Sequence, residues 1–238
     1  MEITSAHIAK IHALLDAGLV QGLGVPEPGK MCVEAAICYA LDLPHSDDPG
    51  CVHPALRQLK IRLNDGIWSS NKARADGMRR LAIAQLGSKD ALDAHVFASR
   101  CATLAIRMVV PFALRGVANV VGDVHGPILL GHADKCESNP TTAAVRRAAD
   151  AARSAAYASY AAYAAYAAAR SAYAAAIGNA APVAADAADD AACAACAAIR
   201  RRPRMPPDSI AADDILSRFA EGVVQILIDM NAPGVKWL

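Results

Sequence analysis

The densest set of reactive side chains lies between residues 32 and 53: Cys32, Cys38, His45, Asp47, Asp48, Cys51 and His53. Cys32 follows a glycine-containing loop and stands at an expected helix start. Amide donors at a helix N-terminus stabilise a thiolate, so Cys32 is a candidate nucleophile, with His45 or His53 as its base. That pairing would make a cysteine-dependent hydrolase or transferase. The competing reading is a small buried thiol on the core side of a short helix. The same segment could hold zinc through Cys32, His45, Cys51 and His53, with Cys38 in place of Cys32 as a variant. The spacing matches no common finger or knuckle, and no cofactor is expected.

A second constellation is NDGIWSSNKARADGMRR, residues 64–80. Ser69 or Ser70 can cap a helix there, leaving amide donors beside Lys72, Arg74, Arg79 and Arg80, an arrangement that can receive an anionic group. Trp68, Asn71 and Arg74 are the partner-contact candidates, with Trp68 as anchor. The bland alternative is a capped amphipathic helix with Trp68 as packing.

A third is a row of tyrosines, Tyr157, Tyr160, Tyr163 and Tyr166, followed by Tyr173. A step of three residues turns an α-helix by roughly 300°, so the row slips back by about 60° each time. These tyrosines cannot all face one core. Rigid aromatic side chains on a helix offer large contact area at low entropic cost, so all five are candidates for a partner-binding face. Cys193 and Cys196 form a CxxC pair, but within a helical stretch and without a second pair.

The elements that must position these groups read as helices throughout. Thr4 or Ser5 caps a first helix that Gly18 ends, with Ile8, Ile11, Leu14 and Leu15 on one face. A short helix spans about 31–41, a third 54–64 with Pro54 in its first turn, and a fourth starts at Ser69 or Ser70 and ends near Leu86. Ser88 is expected to cap a fifth, which Pro111 should kink or divide. A further helix is expected over 125–136. Thr141 and Thr142 open an alanine-rich stretch predicted as one rod to Ile177, roughly 50–55 Å long. A second rod runs from about Pro182 to Arg202. The short connection between them predicts an antiparallel hairpin. The last helix starts at Asp208 or Ser209 and carries Ile215, Phe219, Val223, Ile226, Leu227 and Met230. The class is all-α: a multi-helix globular core with a long alanine-rich antiparallel hairpin. The expected divisions are 1–140, 141–202 and 208–238, the last packing back on the first.

Composition limits what these elements can do. Hydrophobic residues make up 55% of the 238, but 56 of them are alanine, and 32 of those fall within residues 143–198. The figure therefore signals neither an unusually large core nor a membrane span. A net charge of +1 with 20% charged residues argues against disorder and against general nucleic-acid binding. Arg200, Arg201, Arg202 and Arg204 complement a helix C-terminus. Seven cysteines without a framework, and no signal-like N-terminus, point to a reducing cytoplasm.

The segments GKMCVEAAICYALDLPH, WSSNKARADGMRRLAIAQLGS and FAEGVVQILIDMNAPGVKWL, with the alanine tract between, resemble a group of uncharacterised alanine-rich phage and bacterial proteins. More faintly, the alanine-rich helices are similar to immunity proteins of the Imm-5-like kind. The resemblance implies a phage or bacterial inhibitor or immunity factor that acts by binding a partner. The function expected is thus a non-enzymatic helical module that docks a protein or a second copy of itself.

Overall fold

The computed structural model describes residues 2–156, 160–178, 180–199 and 209–238. All of the regular structure there is helical, and the class is all-α. One isolated antiparallel bridge, Gly24 to Met31, closes the loop before the second helix.

Local chemistry sets the helix starts. In α1 (Ser5–Asp16), Thr4 and His7 form a reciprocal capping box. Cys32 caps α2 (Val33–Ala40), His53 caps α3 (Pro54–Asn64) with proline in the first turn, and Ser70 caps α4 (Asn71–Ala84). The next helix, α5 (Ala94–Leu104), is capped by Asp93, whose carboxylate accepts from the amides of His95 and Val96. Ser88, the expected cap, is instead fully buried and accepts from the His53 amide.

Pro111 divides the following run as expected. It has no amide to give and crowds the preceding turn, and a π-helical turn, Ala105–Val109, absorbs the mismatch before α6 (Val110–Ala118). The whole stretch Ala94–Ala118 is long and apolar enough to cross a membrane, but most of its apolar window is buried against other helices. Helix α7 (Gly122–Ser138) contains Pro127 and starts three residues earlier than the spacing predicts.

The single rod predicted over 141–177 is corrected. Two helices, α8 (Thr142–Ala156) and α9 (Tyr160–Gly178), lie side by side instead. Residues Ala144, Val145, Ala148, Ala149, Ala152 and Ala155 form a buried stripe on α8, with Arg146, Arg147, Asp150 and Arg153 outside. A helix with so clear an apolar face buries it against a neighbour rather than extending into solvent. Helix α10 (Ala181–Ile199) returns antiparallel to α9 and also packs on α3, α6 and α11 (Ser209–Asp229). Helix α11 lies on α4 and α10 as well. The buried alanines of α8, α9 and α10 and the large residues of the N-terminal helices belong to one continuous core. The alanine helices are therefore seated against the rest of the molecule.

Candidate functional site

The residues 32–53 are close in the fold but are not arranged for the chemistry their types suggest. Cys32 is buried, and its sulfur accepts from the Ala35 amide at 3.4 Å. That amide favours a thiolate, but burial outweighs it and pushes the thiol above its ordinary range. Burial likewise raises the Cys51 thiol, and it pushes the Cys38 thiol up to about 12. The imidazoles are engaged elsewhere. His45 Nε2 lies 3.1 Å from the Gly24 carbonyl oxygen, and His53 Nδ1 accepts from the Ala55 amide at 3.2 Å as the cap of α3. The surroundings of Cys32 thus favour the neutral thiol, in line with the buried-thiol reading. The zinc set Cys32, His45, Cys51 and His53 is not assembled either. Among the described residues, no group of three or more His, Cys, Asp or Glu side chains is placed to hold a metal ion.

At the centre of this region stands a group that spacing did not reveal. Glu34 of α2, Lys60 of α3 and Gln85 after α4 are all fully buried. Lys60 Nζ is 3.3 Å from Glu34 Oε1, and Gln85 Nε2 donates to Glu34 Oε2 at 3.2 Å. Beyond the Glu34 contact, Lys60 Nζ and Gln85 Oε1 meet no hydrogen-bond partner among the described residues. Burial raises the Glu34 carboxyl and lowers the Lys60 ammonium, which moves the pair toward its neutral form. A cavity of about 90 Å³ adjoins it, lined by Leu23, Cys32, Glu34, Asp47, Asn64 and Asp65. That is well below the several hundred Å³ of a typical small-molecule site. The arrangement is enclosed where α2, α3 and the end of α4 meet.

Just before the Ser70 cap, two main-chain amides meet carboxylates of the chain itself. The Ser69 amide donates to Asp213 Oδ1 at 2.8 Å, and the Ser69 hydroxyl bonds Asp213 Oδ2. The Ile67 amide donates to Asp189 Oδ1 at 2.7 Å. Carboxylates of α11 and α10 thus take the place of an external anion. Two of the three residues expected to contact a partner here, the anchor Trp68 and Arg74, are interior. Trp68 donates from Nε1 to the Leu63 carbonyl and lies against Gly77, where a Cβ would come within 2.4 Å of the indole. Arg74 is buried and donates to the carbonyls of Asn64 (2.7 Å) and Leu19 (3.0 Å). Asn71 is exposed, and its Oδ1 accepts from Arg74. Asp189 and Asp213 were missed. For Asp189 the signal was an acidic residue within an alanine-rich helix.

The tyrosines divide as the helical step requires. Tyr163 is 57% exposed, while Tyr166 and Tyr173 are partly buried against the core. The rings of Tyr163 and Tyr166 meet edge to face, with centroids 6.2 Å apart. The Arg170 guanidinium lies over the Tyr166 ring at 5.7 Å. Together with Ser171, Ala174 and Val183 they line an open groove of about 230 Å³ between α9 and α10. Tyr157 and the side chain of Tyr160 lie outside the described residues. Comparison with protein-family models, with curated proteins and with solved structures finds no match for the chain.

Proposed function

We propose that this chain is a non-enzymatic, all-helical binding protein that docks a protein partner on the exposed face of α9. The observation that carries the reading is the Tyr163–Tyr166–Arg170 arrangement. Tyrosine and arginine are the residue types that most often dominate interface energetics, and here they border one groove on a rigid helix. The neighbouring helix α8 exposes Arg146, Arg147 and Arg153 against one acidic residue, Asp150. An acidic protein edge complements that surface. An inhibitor or immunity role would use such a face, and the second copy of the chain is the competing occupant.

A photo-crosslinking amino acid at Ala167, in the groove, tests this in cells. We expect a discrete heterologous adduct from that position, none from position 124 on α7, and loss of the adduct with Arg170→Ala. Equal crosslinking from both positions, or none from Ala167, would overturn the reading. An adduct of twice the chain mass would assign the face to self-association.

A further inference from the structure

Helix α10 is the most thoroughly surrounded of the alanine-rich helices, yet it carries three carboxylates, Asp186, Asp189 and Asp190, within two turns. All three are partly buried at its contacts with α3, α9 and the turn after α3. Few groups are there to receive them. Arg62 of α3 approaches Asp186 at 3.7 Å, and the pair is substantially exposed. Asp189 takes the Ile67 amide, and its Oδ1 lies where a Cβ on Gly66 would come within 3.1 Å. Asp190 takes the Ser171 hydroxyl of α9 at 2.9 Å. Among the described residues, the charges that act on the cluster are Arg62, on Asp186, and the neighbouring carboxylates, on Asp189 and Asp190. Among the described residues, three like charges thus share one cation, one amide and one hydroxyl in a half-dry interface.

We propose that this cluster makes the seating of α10 proton-dependent: uptake of a proton tightens α10 against α9 and α3, and its release loosens that contact. A protonated Asp190 removes the like-charge repulsion from Asp186 and Asp189 and keeps a hydrogen bond to Ser171. The direction agrees with the surroundings of each group. Burial raises all three carboxyls, and it brings Asp190 to about 6 from an ordinary 3.8. With the folded value above the unfolded one, the stability contributed by Asp190 is complete below about pH 4. It is lost as the pH rises through about 6. Ser171 also lines the α9–α10 groove, so the protonation state is felt at that surface. The inference does not depend on what occupies the groove.

The test uses the full chain. Thermal unfolding between pH 4.5 and 8 should give a Tm that falls as the pH rises from 5 to 7.5. Asp190→Asn should raise the Tm at pH 7.5 by about 2–4 °C and flatten that fall. Carbon-detected NMR of the unmutated protein should show the Asp190 carboxyl titrating near pH 6. A titration midpoint in the ordinary aspartate range, near 4, would overturn the proposal. So would a pH slope that Asp190→Asn leaves unchanged.

Discussion

Helices α1 to α4 and helices α8 to α10 are packed into one core by opposite means. The first group encloses large side chains, among them Leu56, Leu59, Leu63 and Met78, all fully buried. It closes around a buried Glu34–Lys60 pair. The second group buries almost nothing but methyl groups: Ala162, Ala165, Ala168, Ala172, Ala175, Ala184 and Ala188 are each fully covered. Each alanine contributes little transfer free energy, but it loses no side-chain entropy on burial and has the best helix propensity. The first region is therefore held by volume and sensitive to truncation. The second is held by close approach and sensitive to enlargement. Polar groups follow the same division. The N-terminal helices bond one another through long side chains, whereas α10 and α11 reach across to main-chain amides at Ile67 and Ser69.

The largest effect should come from the buried pair. Removing Lys60 alone, as Lys60→Met, leaves Glu34 without its cation in a fully buried position. We expect a loss of about 3–5 kcal/mol by urea denaturation. The double variant Glu34→Leu with Lys60→Met removes both charges and should recover most or all of that loss. A double variant as unstable as the single one would show that the pair itself, and not the orphaned charge, holds α2 to α3. The claim that volume dominates this region would then fail.

This centre also marks where sequence reasoning stopped. The all-α class was legible because apolar residues recur at helical spacing and the caps are conventional: Thr4, Ser70 and Pro54 stand where helix starts require them. The division before Pro111 was legible from the chemistry of proline alone. The pairing of Glu34 with Lys60 was not, because each looks like an exposed charge until two helices are packed. Trp68 follows its packing reading and not its partner-contact one, and Arg74 is interior too: their chemistry suits a surface, but Gly77 and the Leu19 and Asn64 carbonyls draw them inside. The reversal between α8 and α9 was hidden because alanine is equally content in one long helix or two short ones. The stripe on α8 was the one local sign of it, and the uniform alanine background masked it.

A reciprocal pair of substitutions tests the central contrast at intermediate size. Leu59→Ala should cost about 2–5 kcal/mol, since it empties part of a filled core. Ala168→Leu should cost about 1–3 kcal/mol, since the added atoms meet a neighbouring helix. Ala168→Gly should cost about 1 kcal/mol through helix propensity. The informative outcome is the ordering within α9. If Ala168→Leu were neutral or stabilising while Ala168→Gly remained costly, the alanine helices would be held by propensity and not by close approach.

The smallest expected effect separates surface from interior within α9 itself. Tyr163 is 57% exposed, so Tyr163→Ala should change unfolding free energy by no more than about 0.5 kcal/mol. Tyr166 shares its ring contact but is packed on the core, so Tyr166→Ala should cost distinctly more. Urea melts of both variants, with the double variant to read their coupling, measure this directly. A cost at Tyr163 as large as that at Tyr166 would mean that the exposed ring is needed to hold α9 in place. The combination of an exposed tyrosine and a nearly unchanged melt is what a side chain free to serve a partner should show.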